Sequence, residues 1–189
     1  AIYQQLGIAL AKTKELVEAY GPEILNKLIF KIAIGGNYFF EMAKLRAFKM
    51  GFNQLSKEYN LDEVPYIFTE TSFRNKAISD NENNLIRSTL ELAAAMIGGA
   101  DAVYTNNYLV SRSTDNSEEI SFKQQIVLAY ESIINVFEDA SNGSYYVEDI
   151  TQQIADKSWA LFVEMEDAGG YLELLKQGIV QKKIYEHAV

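Results

Sequence analysis

Carboxylates collect near the ends of predicted strands in this 189-residue chain. Glu70 follows the second predicted strand, Glu131 precedes the fourth, and Glu138 and Asp139 stand at the end of the fourth. Active groups in parallel α/β proteins gather where the strands end. Two carboxyl groups there could act as acid and base. For each carboxylate alone a surface or helix-capping role is the commoner one, and the sequence leaves both roles open.

The amino-acid composition excludes several other kinds of functional site. The chain has no cysteine, so it has no thiolate nucleophile, no disulfide and no thiolate metal site. Its one histidine, His187, stands near the C-terminus, so a multi-histidine metal site cannot form within one chain. The net charge of −9 argues against non-specific binding to nucleic acid or to an anionic membrane.

The location expected from the sequence is the cytoplasm. No apolar run approaches the roughly 20 residues that a membrane helix needs. No signal peptide precedes the amphipathic pattern that begins directly after Ala1. The abrupt start suggests that the chain begins within a longer gene.

Glycine-containing segments offer weak anion-binding signals. The motifs GGN at 35–37 and GGAD at 98–101 lack the glycine spacing of nucleotide-binding loops, so turns and helix caps are the favoured interpretation. Gly143 and Ser144 open a predicted helix, and free N–H groups there could contact an anion. A structural turn is again the commoner role.

Hydrophobic periodicity predicts an alternation of strands and helices. A first helix over 2–19 is followed by predicted strands at 28–34, 64–69, 102–105 and 134–138, each leading into a helix, and by a last helix over 171–187. Asp80 and either Asn116 or Ser117 are the predicted helix caps. This order favours parallel strands with crossover helices, and four such units are half of a (β/α)8 barrel. Without a flexible linker, 1–189 is predicted to be a single domain.

One strand-to-helix connection raises the question of whether it carries chemistry. The segment YIFTETSFRNKAISDNENNLIRST, at 66–89, opens as a buried strand, continues through a long polar stretch and closes as a helix. In an α/β barrel such a loop lies on the active face. The loop therefore either carries catalytic groups or only keeps the conformation of the active face.

Several segments together resemble the methylmalonyl-CoA mutase family of adenosylcobalamin-dependent isomerases. They are FKIAIGGNYFFEMAKLRAFKM, TETSFRNKAISDNENNLIRST with its matching Asn83, Asn84 and Arg87, GGADAVYTNNYL, YESIINVFEDASNGSYYVEDIT and FVEMEDAGGY. They occur in the family's order and cover nearly the whole chain. The resemblance implies the C-terminal half of a TIM (β/α)8 barrel, with about four parallel strands and crossover helices.

The departures from the family pattern concern the cofactor pocket. Catalytic members typically read Arg-Thr-His-x-Gln-Thr-Ser-Gly at the second strand, whereas this chain has Phe68 at the histidine and Glu70 at the glutamine. By this match the pocket-facing residues are Phe68, Glu70, Thr71, Ser72 and Glu131. The family's catalytic Tyr-His pair and its cobalamin domain are expected to lie outside this chain.

The resemblance therefore points to the small, non-catalytic subunit of a heterodimeric mutase. It implies no catalytic residue and no metal ligand in this chain, with adenosylcobalamin held by the large catalytic subunit. A half-barrel leaves strand edges unpaired, so self-association of the chain is also expected. Two alternatives stay open: a fragment of a catalytic acyl-CoA mutase subunit, and an acyl-CoA-binding module that uses Gly143 and Ser144.

Overall fold

The chain folds as an α/β protein in a computed structural model that describes residues 1–186, apart from the side chain of Asn135. His187 lies outside the described residues. The helices are α1 Ile2–Tyr20, α2 Tyr38–Lys57, α3 Asn83–Ile97, α4 Asp115–Tyr130, α5 Tyr145–Asp167, α6 Tyr171–Lys176 and α7 Ile179–Glu186, with 3₁₀ turns at Pro22–Lys27 and Ile134–Val136. Across residues 1–186, no helix combines the length and the apolar character needed to cross a membrane.

The strands form a three-stranded parallel sheet. They are β1 Ile29–Ile34, β2 Tyr66–Thr71 and β3 Ala102–Tyr104, in the order β1-β2-β3. Helix α2 connects β1 to β2 and helix α3 connects β2 to β3, which is the crossover arrangement that parallel strands require. The predicted parallel sheet with crossover helices is confirmed, and its architecture is compatible with part of a barrel.

The two faces of the sheet have different surroundings. In β2 the side chains of Ile67, Thr69 and Thr71 are buried, and helix α3 packs against the strands. The alternate residues of β2 lie on the opposite face, where Tyr66 is 48% exposed. We call this second side the open face of the sheet.

The predicted fourth strand at 134–138 is wrong. Ile134–Val136 is a 3₁₀ turn, and Ile133 before it has a φ of 54°, which breaks an extended chain. Strand β3 is only three residues long, so it offers few backbone groups with which a further strand could pair. Ile134 instead packs against a small core of Leu92, Ala93 and Leu128, while Val136 and Phe137 stay exposed.

The predicted last helix over 171–187 is also divided. Helix α6 ends near Lys176, and α7 begins at Ile179. Gly178 between them has a φ of 76°, in the left-handed region that glycine adopts without steric cost. This turn ends one helix and starts the next.

Contacts within the chain divide it into two units. Among the described residues, one unit comprises 1–28, 47–65 and 149–186, and the other comprises 29–46 and 66–148. In the first unit α1 lies close to α5. The approach is so close that a Cβ atom added to Gly7 would lie 2.9 Å from the Ser158 carbonyl oxygen. Trp159 and Phe162 of α5 contact each other edge to face, with 5.1 Å between ring centroids. The second unit contains the whole sheet, and the single-domain interpretation stays a prediction.

Candidate functional site

Strand β2 places the predicted pocket residues in two groups. Phe68 and Glu70 are two residues apart and lie on the open face, whereas Thr71 is buried on the other side. In the sheet register Phe68 lies between Lys31 of β1 and Ala102 of β3. The ring therefore occupies the middle of the open face.

The carboxylate of Glu70 already has a partner. Its Oε2 atom lies 2.8 Å from the Lys31 Nζ atom, and the two side chains are 27% and 61% exposed. Lys31 is opposite Phe68 in the register, so the ion pair crosses the open face beside the ring. A polar ligand on this face would meet a phenyl ring, which has no hydrogen-bonding atom, and a carboxylate already neutralised by lysine.

Thr71 and Ser72 use their hydrogen bonds to hold loops. The Thr71 hydroxyl accepts a 2.9 Å hydrogen bond from the backbone N–H of Asn106, and the Asn106 side chain donates to the Thr71 carbonyl. The backbone N–H of Ser72 donates to the Ile34 carbonyl at 2.8 Å, and its hydroxyl accepts from the backbone N–H of Arg74 at 3.1 Å. These contacts tie together the chain segments that leave the three strands.

The loop after β2 is anchored by a buried ion pair that the sequence analysis missed. The Nζ atom of Lys76 lies 2.7 Å from Oε2 of Glu91, and neither side chain has exposed area. Asn75 donates a 2.5 Å hydrogen bond to the other Glu91 oxygen. The available signal was a charged residue, Glu91, within the otherwise apolar run LELAAAMI of helix α3.

Burial acts on both charges of this pair. Burial raises the pKa of Glu91, and the hydrogen bonds from Lys76 and Asn75 oppose that rise. Burial likewise lowers the pKa of Lys76, against the attraction of Glu91. Burial is the larger influence on each pKa, and the contact between Lys76 and Glu91 opposes it in both groups, so the pair acts as a structural clamp on the loop.

Asn84 fixes the far end of the same loop. The side chain is fully buried. Its oxygen accepts from the backbone N–H of Ala77 at 2.9 Å, and its nitrogen donates to the carbonyls of Ala77 and Tyr108 at 2.8 and 2.9 Å. Arg87, a turn further along α3, donates to the Asn84 oxygen at 2.9 Å. These polar side chains are used to shape the loop.

The remaining carboxylates belong to segments other than β2. Glu131 follows the last residue of α4 and is exposed, and its proposed role beside a cofactor stays a prediction. Asp139 forms an ion pair with Arg46. The acid–base pair that the sequence left possible is therefore not assembled at the end of one strand.

The N–H group of Gly143 already has an acceptor within the chain, the carboxylate of Glu148. The Gly143 N–H donates to Oε1 of Glu148 at 3.3 Å, and Arg46 lies 2.5 Å from the same oxygen. Ser144 donates its N–H to the Ser141 carbonyl at 3.1 Å. A carboxylate in this position disfavours the binding of an external anion.

The acidic side chains described here do not form a metal-binding cluster. Within the described part of the chain, no group of three or more His, Asp or Glu residues is arranged to hold a metal ion. The carboxylates of Glu70 on the open face and of Glu91 on helix α3 are instead paired with lysines, Glu70 with Lys31 and Glu91 with Lys76.

The fold and the site define a parallel α/β protein whose strand-end loops are fixed by internal hydrogen bonds and ion pairs. The sequence model of the methylmalonyl-CoA mutase family matches residues 3–189. The chain belongs to the methylmalonyl-CoA mutase family, and the expected family membership is confirmed.

Relatives include both kinds of mutase subunit. The methylmalonyl-CoA mutase small subunit of Porphyromonas gingivalis is 35% identical over 196 residues, covering 97% of this chain and 32% of that protein. The methylmalonyl-CoA mutase of Rhizobium meliloti is 31% identical over 199 residues, covering 99% of the chain and 28% of that protein. The large subunit of the Porphyromonas gingivalis enzyme is 30% identical over 178 residues, covering 91% and 24%. The chain thus spans less than a third of the length of these relatives.

Proposed function

We propose that the chain is part of the small, non-catalytic subunit of a methylmalonyl-CoA mutase. In that complex methylmalonyl-CoA and succinyl-CoA are interconverted, and this chain forms part of the C-terminal half of the subunit's TIM barrel. The observation that carries the proposal is the open face of the sheet, where Phe68 lies beside the Lys31–Glu70 ion pair. In the middle of that face the ring of Phe68 has no polar atom, and the polar groups beside it are paired with each other.

The residues of β2 do not fit adenosylcobalamin. The ring of Phe68 cannot donate or accept a hydrogen bond, and the Glu70 carboxylate is held by Lys31 at 2.8 Å. The hydroxyl of Thr71 accepts from Asn106 and is turned to the buried side. The cofactor of the complex is accordingly assigned to the large subunit, and this chain supplies structural support.

The proposed partner is the large catalytic subunit, in the cytoplasm. Two observations support a partner of this kind: one relative is named a small subunit and another a large subunit of the same organism's mutase. The open face also exposes large apolar side chains, with Ile29 at 68% and Tyr104 at 51%. Covering such apolar side chains with another polypeptide is energetically favourable, because it removes them from water.

The test combines turnover, cofactor retention and stabilisation of the partner. The chain is purified alone, and together with the large subunit from the same source, and each sample receives adenosylcobalamin and methylmalonyl-CoA. We expect the chain alone to give no succinyl-CoA and to retain no cobalamin after gel filtration. We expect the large subunit to keep its activity longer at elevated temperature when the chain is present.

A pair of variants sharpens the assignment of β2. Phe68→His with Glu70→Gln restores the residue types that the family's catalytic members carry, and Asp62→Asn is the control on a carboxylate whose side chain is 82% exposed. Cobalamin retention by the unsubstituted chain, or turnover by the chain alone, would contradict the proposal. So would a large subunit whose activity and stability are the same with and without the chain.

A further inference from the structure

The inner face of helix α4 is mostly polar. The residues that α4 buries are Ser117, Ser121 and Leu128. The side-chain nitrogen of Gln124, on the same helix, donates to the Leu85 carbonyl of helix α3 at 2.7 Å. Among the buried residues of α4, polar side chains thus outnumber apolar ones.

The outer face of the same helix carries its large apolar side chains. Phe122, Ile126 and Tyr130 stand at i, i+4 and i+8 on one side of α4, and Val127 lies beside them. These four residues are each between 40% and 77% exposed. A surface helix normally turns its apolar side chains toward the core, and a helix that is apolar on its outer side as well is typically packed on both sides.

Helix α3 extends this apolar surface. Ile86 and Leu90 stand at i and i+4 on α3 and are 62% and 52% exposed. The residues just before them, Leu85 and Thr89, both accept hydrogen bonds from Gln124 of α4, so Ile86 and Leu90 lie beside the contact between the two helices. The α3–α4 outer surface, as we call it, consists of six exposed apolar residues: Ile86, Leu90, Phe122, Ile126, Val127 and Tyr130.

The size of the α3–α4 outer surface is that of a protein interface. With these exposed fractions the six residues present about 600 Å² of accessible area to water. A standard interface takes roughly 800 Å² from each partner, and a little more than half of that area is apolar. The surface therefore supplies the apolar area that a specific partner needs.

Exposed carboxylates stand at the ends of both helices. They are Glu82 before α3, Asp115 and Glu118 in the first turn of α4, and Glu131 after its last residue. Among the ion pairs of the described residues none of these four takes part, whereas Lys123 on α4 is neutralised by Glu119. A second copy of the chain would bring the same negative charges to the contact, and an anionic membrane would repel them, so the charge favours a basic partner.

We propose that the α3–α4 outer surface binds an amphipathic helix of a partner protein, whose apolar face is flanked by lysine and arginine. The apolar face of that helix packs on the six exposed residues, as in other cases where a helix is recognised through its apolar side chains. Its flanking cations lie near the carboxylates at the ends of α3 and α4. The surface is separate from the open face, because α3 packs on the buried side of the sheet.

Two model peptides test the charge preference on the unmodified chain. Both are about 18 residues long with leucine repeated at i, i+3, i+4 and i+7; one has lysine and the other glutamate at the remaining positions. Binding is followed by the fluorescence anisotropy of a labelled peptide. We expect the leucine–lysine peptide to bind with a Kd of about 10–100 μM and the leucine–glutamate peptide to bind at least about tenfold more weakly. Added salt should weaken binding of the leucine–lysine peptide.

Two matched double variants locate the contact. Leu90→Ser with Phe122→Ser removes two exposed apolar side chains from the α3–α4 outer surface. The control, Leu172→Ser with Tyr185→Ser, removes two side chains of comparable exposure, 49% and 73%, from the other unit. We expect the first variant to bind the leucine–lysine peptide at least about tenfold more weakly, because less apolar area is buried, and the control to bind it as the unsubstituted chain does. Circular dichroism checks that both variants keep their helices.

NMR of the unmodified chain provides a readout that needs no substitution. The backbone amide signals of Leu90, Phe122 and Ile126 should shift saturably as the leucine–lysine peptide is added. Equal affinity for the two peptides, equal losses in the two double variants, or shifts confined to other residues would overturn the proposal. Shifts of these amides when the chain alone is concentrated would identify a second copy as the occupant, and would overturn it too. The measurements need neither the large subunit nor cobalamin, so their result is independent of the proposed mutase role.

Discussion

Lys76 and Glu91 form a fully buried ion pair, and such pairs are sensitive to the loss of one partner. A pair that is intact contributes little net stability, because burial of the two charges offsets their attraction. Removal of one partner leaves the other charge buried and uncompensated. The loop after β2 depends on this pair, since Lys76 belongs to the loop and Glu91 to helix α3.

The first prediction concerns the loss of the lysine. Lys76→Met should lower the free energy of unfolding by about 3–5 kcal/mol, because Glu91 is left unpaired. The double variant Lys76→Met with Glu91→Leu should recover most of that loss. Denaturant unfolding at pH 7 measures both. As control, Lys123→Met breaks a pair whose side chains are 63% and 60% exposed and should leave the free energy of unfolding nearly unchanged.

The second prediction concerns pH in the same variant. Burial raises the pKa of Glu91, and without Lys76 the chief opposing contact is gone. A raised folded-state pKa means stability that is present below the ordinary value and lost as pH rises through the folded-state value. The deficit of Lys76→Met should therefore grow between pH 4.5 and pH 7.5, by up to about 1.4 kcal/mol per pH unit. A deficit that is constant across this range would show that the pKa of Glu91 is not raised in the variant, because water or another partner stabilises its ionised form in place of Lys76.

Single residues were predicted from sequence only where their chemistry was visible locally. Phe68 and Glu70 lie on the open face of β2. Their residue types could be read directly from the sequence, which has phenylalanine where the family's catalytic members have histidine. The Lys31–Glu70 and Lys76–Glu91 pairs were not predicted, because each joins residues on different elements. Charge pairing of this kind depends on strand register and loop path, which local patterns do not contain.

At the scale of elements, two helices of the first unit approach each other closely at a glycine. A Cβ atom on Gly7 of α1 would lie 2.9 Å from the Ser158 carbonyl oxygen and 3.1 Å from a Leu161 methyl carbon. A Cβ atom on Gly51 of α2 would meet, within 3.1 Å, only the flexible end of the Leu10 side chain. The two mid-helix glycines are thus matched in propensity and differ in their surroundings.

The third prediction uses this contrast. Alanine has a helix propensity about 1 kcal/mol better than glycine, which favours both substitutions. Gly7→Ala should nevertheless destabilise the chain by about 1–3 kcal/mol, because a backbone oxygen cannot move aside as a side chain can. Gly51→Ala should be near neutral or stabilising. Thermal unfolding of both variants measures the two changes in stability. A Gly7→Ala variant that is more stable than the unsubstituted chain would contradict the close approach of α1 and α5.

Elements were predicted well where a pattern was long and poorly where pairing decided the outcome. The capping residue of α4 was expected at Asn116 or Ser117, and it is Thr114, whose hydroxyl accepts from the Ser117 N–H at 3.2 Å. The segment 134–138 has strand-forming residues, yet its conformation is set by Ile133 in the left-handed region. A strand needs a neighbour to pair with, and the short β3 provides little.

At the scale of the whole molecule, the open face predicts association. Ile29 and Tyr66 are register partners on that face, with 68% and 48% of their surface exposed. The fourth prediction is that the isolated chain self-associates in light scattering as concentration rises. Ile29→Lys should shift this equilibrium toward monomer by about tenfold or more, since it places a charge in the apolar contact.

The control for association is a substitution elsewhere on the surface. Tyr20 ends α1 and is 72% exposed, so Tyr20→Lys changes charge equally without touching the sheet. It should leave the association unchanged. A chain that stays monomeric up to millimolar concentration, or two variants with the same behaviour, would contradict an interface on the open face.

Trp159, which contacts Phe162 on α5, provides an intrinsic fluorescence probe of unfolding. The sequence contains a single tryptophan, so indole emission reports on the helical unit that contains α5. Circular dichroism averages over every helix and strand instead. Melting curves from the two signals will coincide if the chain unfolds as one cooperative body, and will separate if lesions such as Lys76→Met loosen the sheet-bearing unit first.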